Sequence, residues 1–423
     1  MQKKKILMVS DHPYSTSGVG CQARYLMHGL VGTGKYQFFC LGAAMKHLNY
    51  DLQKMGDDIM VKPIDGFGNK QMMMQLLVEL KPDALLLFTD PRFFGHIWSM
   101  SDVIHQFCPI IYNTIWDNYP VPTFNKSVYE SCDTLNCINE VAFNSIKEIL
   151  PNYAEQGLVN YIPHGVPAET FYPMGADEIQ TMKNRLLGTA RSDHFVGLFV
   201  SRNARRKCPS DIIFSWKLFL DELERKYGHR KATLLMHTDP FDHEGPNLIA
   251  CAEKFGVIDN VVFSKDRTNF SEMNTVYNIA DFVINLSSAE GFGLSLLEAK
   301  MAGKIGVALK TGGLSKQIFD EKTNTAFGVA IEPEVKTLVG TQGIPFIYET
   351  YASHETYASS FMKLYEMPAA ERHRLGMAAC EHARTEYSLL NTVLQWDKSF
   401  DKMFDAWNKK ELPNNTKFVV KSF

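Results

Sequence analysis

The stretch "DFVINLSSAEGFGLSLLEAKMAGKIGVAL", Asp281 to Leu309, restricts the possible folds more than any other part of the chain. Residues 281–287 form a short apolar run rich in Val and Ile, which reads as a buried strand. "SAEGFG" is punctuated by Ser and Gly and reads as a loop. "LSLLEAKMAG" holds good helix formers, with apolar positions at Leu294, Leu297 and Met301, and closes on Gly303 as a C-cap. "IGVAL" is the next strand. Strand, loop, helix, strand is a parallel crossover unit. Such folds place ligands beyond the carboxyl ends of their strands, where Glu290, Gly291, Phe292 and Gly293 lie. The helix that follows points backbone N–H groups at the loop and favours an anion such as a phosphate. Glu298 stands one to two turns into that helix and follows Glu290 around the same ligand. Two carboxylates about an anion site suit a polyhydroxylated molecule with a phosphate between its halves, the shape of a nucleotide sugar.

The same alternation runs through the chain. "KKILMVS", "YQFFCLG", "DALLLFT" and "PIIYNTIW" read as strands. "GVGCQARYLMHGLVG" has helical spacing at Ala23, Leu26, Met27 and Leu30, and "HIWSMSDVIHQF" reads as a further helix. "TLNCINEVAFNSIKEIL" passes from strand to helix, and "GLVNYIPHGV" carries a short strand into a loop. These segments make a first doubly wound α/β domain, residues 1–175. The pattern turns polar over 175–192, where a linker is expected. A second α/β series occupies 190–385: "HFVGLFVS", a helix from Asp211 to Tyr227, "ATLLMHT", "NLIACAEKFGV", "NVVFS", a short helix to Ala280, and the crossover unit. Residues 353–408 read as mostly helical, with Trp396 and Trp407 on apolar faces. Residues 386–423 are expected to hold a C-terminal helix and the tail "ELPNNTKFVVKSF", packing back on the first domain. Two doubly wound domains with a cleft between them offer a preferred place for a ligand.

The 423 residues are 45% hydrophobic and 22% charged, ordinary for a globular protein able to bury sizeable cores. A net charge of −3 removes any global basic field that would demand nucleic acid or an acidic membrane. The eight cysteines are scattered and complete no zinc spacing, which fits buried or free thiols in a reducing, cytoplasmic setting. No apolar run reaches the roughly 18 residues of a membrane span. The start "MQKKKILMVSDHP" is basic, but its apolar stretch is too short for a signal peptide, so it reads as a first strand.

"EGFGLSLLE" resembles the E-x7-E signature of retaining glycosyltransferases of the GT-B fold, and its setting is most like glycosyltransferase family 4. The resemblance covers roughly residues 4 to 400. It implies two Rossmann-like domains facing a central cleft, with C-terminal helices crossing back: an acceptor-side domain first and a nucleotide-sugar domain second. It implies that Glu290 contacts the donor sugar and Glu298 binds the ribose. The amides of Gly293 and Leu294 would approach the diphosphate. In "FVSRNARRKCPSDIIFSW", Arg202 and Lys207 look like the family's pair that stabilises charge on the leaving diphosphate; the intervening Arg205 and Arg206 read as a solvated loop. "SDHPYSTSGVGCQA" carries Gly18, Gly20 and Ala23. Seven loop residues after Ser10 argue against a dinucleotide fingerprint, which keeps its first glycine close behind the strand. In the family this loop lines the donor diphosphate and the acceptor, while local physics equally allows helix capping by Ser17.

"YIPHGVPAETFYP" resembles the family's segment before the hinge, usually P-N-G-V-D, with His164 and Pro167 replacing Asn and Asp. "LMHTDPFDHEGPNL" falls where the family has a loop near the base. "LKTGGLSKQIF" matches a G-G-x-x-E segment at Gly312 and Gly313, with Lys316 or Gln317 where Glu is usual. The family's His-Asp at the end of the fourth strand is Trp116–Asp117 here. Trp116 is therefore either a sugar-stacking wall or a core residue, and His12 is the other acceptor-side candidate.

The expected function is transfer of a sugar from a nucleotide-diphosphate sugar to an acceptor hydroxyl, retaining, by front-face displacement, with no cofactor and no obligatory metal. No D-x-D stands in a loop after a strand to hold a divalent ion on the diphosphate. The acceptor is open among a glycan, a small molecule and a modified DNA base such as a hydroxymethylated pyrimidine. Residues 1–150 hold 13 Lys+Arg and 14 Asp+Glu, so no overall basic surplus favours DNA. A sugar-nucleotide epimerase and an inactive binding module are the remaining readings. Glu290, Glu298, Arg202 and Lys207 stand together against the last. These motifs do not specify the donor base, the sugar or the oligomeric state.

Overall fold

The structure, a computed structural model, describes residues 2–264 and 270–414. Strands β1 (Lys4–Asp11), β2 (Tyr36–Ala43), β3 (Gln53–Lys54), β4 (Ile59–Pro63), β5 (Ala84–Phe88), β6 (Ile110–Thr114), β7 (Thr134–Cys137) and β8 (Val159–Tyr161) form one sheet in the order β3-β4-β2-β1-β5-β6-β7-β8. Every pairing in it is parallel except β3 with β4. Its central strands are apolar along their length because helices cover both faces of a parallel sheet; Leu85, Leu86 and Leu87 are fully buried.

A second parallel sheet runs β11 (Val261–Ser264), β10 (Ala232–His237), β9 (Phe195–Val200), β12 (Phe282–Asn285), β13 (Ile305–Leu309), and then a strand at Gly328–Ile331. Two-residue strands β14 (Phe319–Asp320) and β15 (Thr325–Ala326) make a small ladder before that last strand, β16. Each sheet has a central reversal of strand order, between β1 and β5 and between β9 and β12. Two parallel Rossmann-like sheets are therefore present, each with a switch point that suits a ligand.

Contacts divide the chain into two compact units. The first holds Met1–Gly165, Gly340–Phe346 and the chain from Leu389; the second holds Val166–Val339 and Ile347–Ser388. In the first, the helix Leu389–Asn408 buries Trp396, Phe400 and Met403 in the core that also contains Leu26, Met27 and Leu30, with Trp407 packed at its margin. In the second, Trp216, Phe219, Phe282 and Phe361 build a separate core. Val166 forms an isolated bridge with Ser388, so two of the places where the chain changes unit lie side by side.

Several segments depart from their sequence pattern. The polar stretch expected as a linker over 175–192 is a helix, Ala176–Leu187, of the second unit. Asp177 and Glu178 in its first turn and Arg185 in its last complement the helix dipole, which offsets a face that buries only Leu187. "HIWSMSDVIHQF" forms two single turns, Gly95–Trp98 and Ser101–Ile104, rather than one helix. The segment 44–82, which has no clear alternation, adds β3, β4 and the helix Lys70–Leu80. An antiparallel hairpin of β17 (Val335–Val339) and β18 (Ile347–Tyr351) follows β16 without a sequence signal. Of the C-terminal tail, residues 415–423 lie outside the described residues. Among the described residues no cysteine is in a disulfide, and no helix is long and apolar enough to cross a membrane.

Candidate active site

The loops after β9 and β12 meet at the switch point of the second sheet. They are stitched together by backbone: Ser288 N donates to Arg206 O at 2.8 Å, and Arg206 Nη1 donates to Ala289 O at 2.9 Å. The turn Arg205–Lys207 ends at Cys208 in the left-handed region (φ 53°), and the helix Pro209–Tyr227 starts there. This turn aims Lys207 at Glu290, with which it forms a close ion pair. Glu290 is 8% exposed, and Ser287 Oγ donates to its Oε2 at 3.2 Å. Burial alone pushes the Glu290 carboxyl up, but the charges of Lys207 and Arg206 and the bonds from Lys207 and Ser287 outweigh it and hold it at about 2.

The Gly-Phe-Gly turn is built by sterics. Gly293 has φ +89°, and a Cβ there would lie 2.4 Å from Leu314 Cδ2. Gly293 caps the helix Leu294–Met301, whose start has no side-chain cap bond. Its first-turn amides therefore face the loop in the way that suits a diphosphate. Gly313 buttresses this turn, and Gly312 just before Gly313 lies in the left-handed region (φ 46°). Gly313 N donates to Glu290 O at 2.9 Å, and a Cβ on Gly313 would meet Gly291 O at 2.4 Å. Gln317, one of the two residues that stand where the family pattern has Glu, is fully buried and donates from Nε2 to Phe292 O at 2.5 Å. It thus shapes the loop.

Glu298 is partly buried on the same helix, and Tyr277 OH donates to its Oε2 at 2.6 Å. Burial pushes this carboxyl up to about 7, against the pull of the tyrosine bond. Two glutamates eight positions apart thus have opposite character, one firmly ionised by neighbouring cations and one balanced near neutrality.

Arg202 stands apart from this pair. Its side chain is 52% exposed and held by Asp242 (Nε to Oδ2, 2.7 Å) and Glu244 (Nη1 to Oε1, 3.0 Å). Arg205 and Arg206 are not a merely solvated loop: Arg205 makes a bidentate pair with Glu349 at 2.6 and 2.8 Å, and Arg206 faces the Glu290 loop. The sequence carries no signal for Tyr277, which lies in a different element from the motif it serves, and it hides Arg206 in a run of cations that reads as solvated.

In the first unit, Ser17 caps the helix Gly18–Gly32: its Oγ accepts from Gly20 N at 3.0 Å and donates to Asp11 Oδ2 at 2.5 Å. A Cβ at Gly20 would meet Ser15 Oγ at 2.1 Å and His12 O at 2.5 Å, so close packing of the loop already requires glycine there. His12 is 2% exposed; its Nδ1 accepts from Tyr14 N at 3.1 Å, and burial followed by His47 holds its pKa below the ordinary range. Trp116 is partly buried, edge-on to Phe124 with ring centroids 5.6 Å apart, and its carbonyl accepts from Asn139 Nδ2 at 2.8 Å. Asp117 is adjacent, and its charge acts on Arg92. Among the described residues no group of three or more His, Cys, Asp or Glu side chains is placed to hold a metal ion.

The two sheets and this crevice define the GT-B class. Solved structures agree on the fold: sucrose-phosphate synthase from Thermosynechococcus elongatus superposes with a TM-score of 0.73 at 15% identity, covering 96% of this chain and 100% of that one. Anabaena HepE in complex with UDP-glucose gives 0.66 at 14% identity, over 94% and 99% of the two chains. Residues 190–341, which include Glu290, Glu298, Arg202 and Lys207, match the family described as glycosyl transferases group 1. It is 23% identical over 254 residues to the alpha-monoglucosyldiacylglycerol synthase of Acholeplasma laidlawii, covering 55% of this chain and 58% of that protein. It is 28% identical over 236 residues to the D-inositol 3-phosphate glycosyltransferase of Corynebacterium urealyticum, covering 51% and 54%. The chain thus spans little more than half the length of the curated relatives it matches.

Proposed function

We propose that the chain is a retaining glycosyltransferase that moves a sugar from a nucleoside-diphosphate sugar to an acceptor hydroxyl without an obligatory metal. The observation that carries this reading is the pairing of Glu290 with Lys207 beside an uncapped helix start at the β9/β12 switch point. The donor diphosphate takes the amides of Gly291, Phe292, Gly293 and Leu294 and the charge of Lys207 and Arg206. Arg202 joins by leaving Asp242 and Glu244, an exchange that costs little because exposed ion pairs contribute only about 0–1 kcal/mol. Glu298 accepts from the ribose hydroxyls.

As Lys207 turns toward phosphate, Glu290 loses part of what keeps it ionised and becomes a partner for the donor sugar's hydroxyls. The bond from the anomeric carbon to the β-phosphate oxygen breaks. The acceptor oxygen bonds that carbon from the same face, and the acceptor proton passes to the leaving phosphate oxygen. Fixed cations stabilise the charge that grows there. The second unit is the nucleotide-sugar domain, and the first supplies the acceptor side through the Gly18–Gly20 loop, His12, Trp116 and Asp117.

UDP-glucose is the first donor to try, since a protein of this fold was crystallised with it. The test is a hydrolysis and transfer screen over UDP-, GDP- and ADP-sugars, with glycan, small-molecule and hydroxymethylated-DNA acceptors. Nucleotide release that depends on Glu290 and Lys207 is expected. No binding or turnover of any of these donors would overturn the reading.

A further inference from the structure

Glu298 is not placed by its own helix alone. The hydroxyl of Tyr277, a fully buried residue on the helix Phe270–Asn278, donates to Glu298 Oε2 at 2.6 Å. The same helix grips the segment that follows the passage from the first unit to the second at Gly165 and Val166. Asn274 Oδ1 accepts from Tyr172 N at 3.0 Å, and Asn278 Oδ1 accepts from Met174 N at 3.0 Å. Asn278 Nδ2 returns a bond to Tyr172 O at 2.9 Å. Both asparagines are 2% exposed or less. Phe171 stands edge-on to the Tyr277 ring with centroids 5.8 Å apart.

A carboxylate has two oxygens and about four acceptor directions. Tyr277 takes up one oxygen and locks the side chain, which leaves Oε1 for the neighbouring hydroxyls of a ribose. The tyrosine also favours the ionised form of a group that burial would otherwise keep neutral.

We propose that Tyr277 is the positioning residue of the nucleotide site, orienting Glu298 for the ribose and tying it to residues 171–174 behind the inter-unit passage. This rests on the reading of Glu298 as the ribose acceptor. It gives the chain a short non-covalent route from that passage to the nucleotide, running through one buried ring.

The test is calorimetric titration of the full chain with UDP, GDP and ADP, following whichever the unaltered protein binds most tightly. Tyr277→Phe keeps the ring and its contact with Phe171 but removes the hydroxyl. Its dissociation constant is expected to rise about threefold to tenfold at pH 8. The pH midpoint of binding should move upward, because the ionised carboxylate has lost a donor. The double variant Tyr277→Phe/Glu298→Gln should bind as Glu298→Gln alone, since a residue acting through Glu298 has nothing left to orient. Phe171→Leu, which loosens the ring without touching the hydroxyl, should weaken binding by about twofold.

An unchanged affinity and pH midpoint in Tyr277→Phe, or effects that simply add to those of Glu298→Gln, would overturn the inference. If Phe171→Leu alone is silent, the tie to residues 171–174 falls. If Glu298→Gln itself binds normally, the ribose role of Glu298 fails instead, so the two failures are distinguishable.

Discussion

The switch points of the two sheets share topology and differ in chemistry. At β9/β12 the functional side chains are charged and meet partners: Lys207 with Glu290, Arg206 with the Ala289 carbonyl, Tyr277 with Glu298. At the strand ends of the first sheet the groups are mostly neutral. Ser10 Oγ, both amide atoms of Asn113, and Trp116 Nε1 are buried with no hydrogen-bond partner among the described residues. Asp11 and Asp117 are carboxylates there, and burial raises the pKa of Asp11 despite bonds from Ser17 and Thr89. Charged pairs at a helix start suit a diphosphate. Neutral polar groups beside an aromatic edge suit an uncharged hydroxylated molecule. One architecture used twice thus carries two chemically different surfaces, and the proposed donor and acceptor roles rest on that difference in side chains.

The largest expected effect tests the charged half. Lys207→Met should lower transfer by about a hundredfold to a thousandfold, since it removes the fixed cation proposed for the leaving diphosphate. It also strands Glu290 and raises its pKa, so a melting curve should show destabilisation of up to about 3–5 kcal/mol. Arg202→Ala should cost about tenfold or less in transfer, because an exposed guanidinium contributes less than a buried ammonium. Equal losses in steady-state assays would break the distinction drawn between the two cations.

Glu298→Ala should raise the nucleotide dissociation constant by about tenfold to a hundredfold, the loss of a hydrogen bond to a charged group of about 1.5–3 kcal/mol. Normal affinity by calorimetry in a folded variant would remove Glu298 from the site.

The pH dependence sharpens the same contrast. Glu298 titrates at about 7, so nucleotide affinity should fall as pH drops from 8 to 6, while Glu290, held at about 2, should add no change in that window. Stability moves the other way for Glu298: the folded state keeps a proton that the unfolded chain has lost, so its contribution declines as pH rises from about 4.5 to 7. Glu290 contributes stability above its ordinary range that is lost only as pH falls toward 2. Titrations and melting curves across pH 5–8 should show affinity and the Glu298 stability contribution changing in opposite directions.

The neutral half should respond less than Lys207 does. Trp116→Ala should slow transfer by about tenfold and leave nucleotide affinity unchanged, because Trp116 lies in the first unit. A matching loss of nucleotide affinity would erase the division between donor and acceptor chemistry. Activity should also survive EDTA; complete loss restored by magnesium would contradict a clamp made of Lys207, Arg206 and backbone amides.

How far the site is legible follows from sequence distance. Glu290 and Glu298 flank a Gly-Phe-Gly at a strand-to-helix turn, and local sterics makes that pattern readable without a fold. Strand β1 and the helix Gly18–Gly32 are likewise written in apolar spacing and a serine cap. The helix Ala176–Leu187 was not legible because a polar helix with one buried residue has the composition of a linker. The hairpin β17–β18 was not, because β17 exposes nearly every residue and so lacks an alternating face.

The chain itself determined which groups exist: an acid on each side of a glycine turn, a run of cations after a buried strand, a tryptophan where a histidine is usual. Tertiary structure decided which of them meet. Lys207 reaches Glu290 across 83 residues, and Tyr277 reaches Glu298 across 21. Arg202, five residues before Lys207, is drawn instead to Asp242 and Glu244. Those partnerships, and the balance by which burial raises the Glu298 carboxyl while neighbouring cations hold Glu290 low, depend on desolvation and on distances across neighbouring elements. Both arise only when β9 and β12 lie side by side.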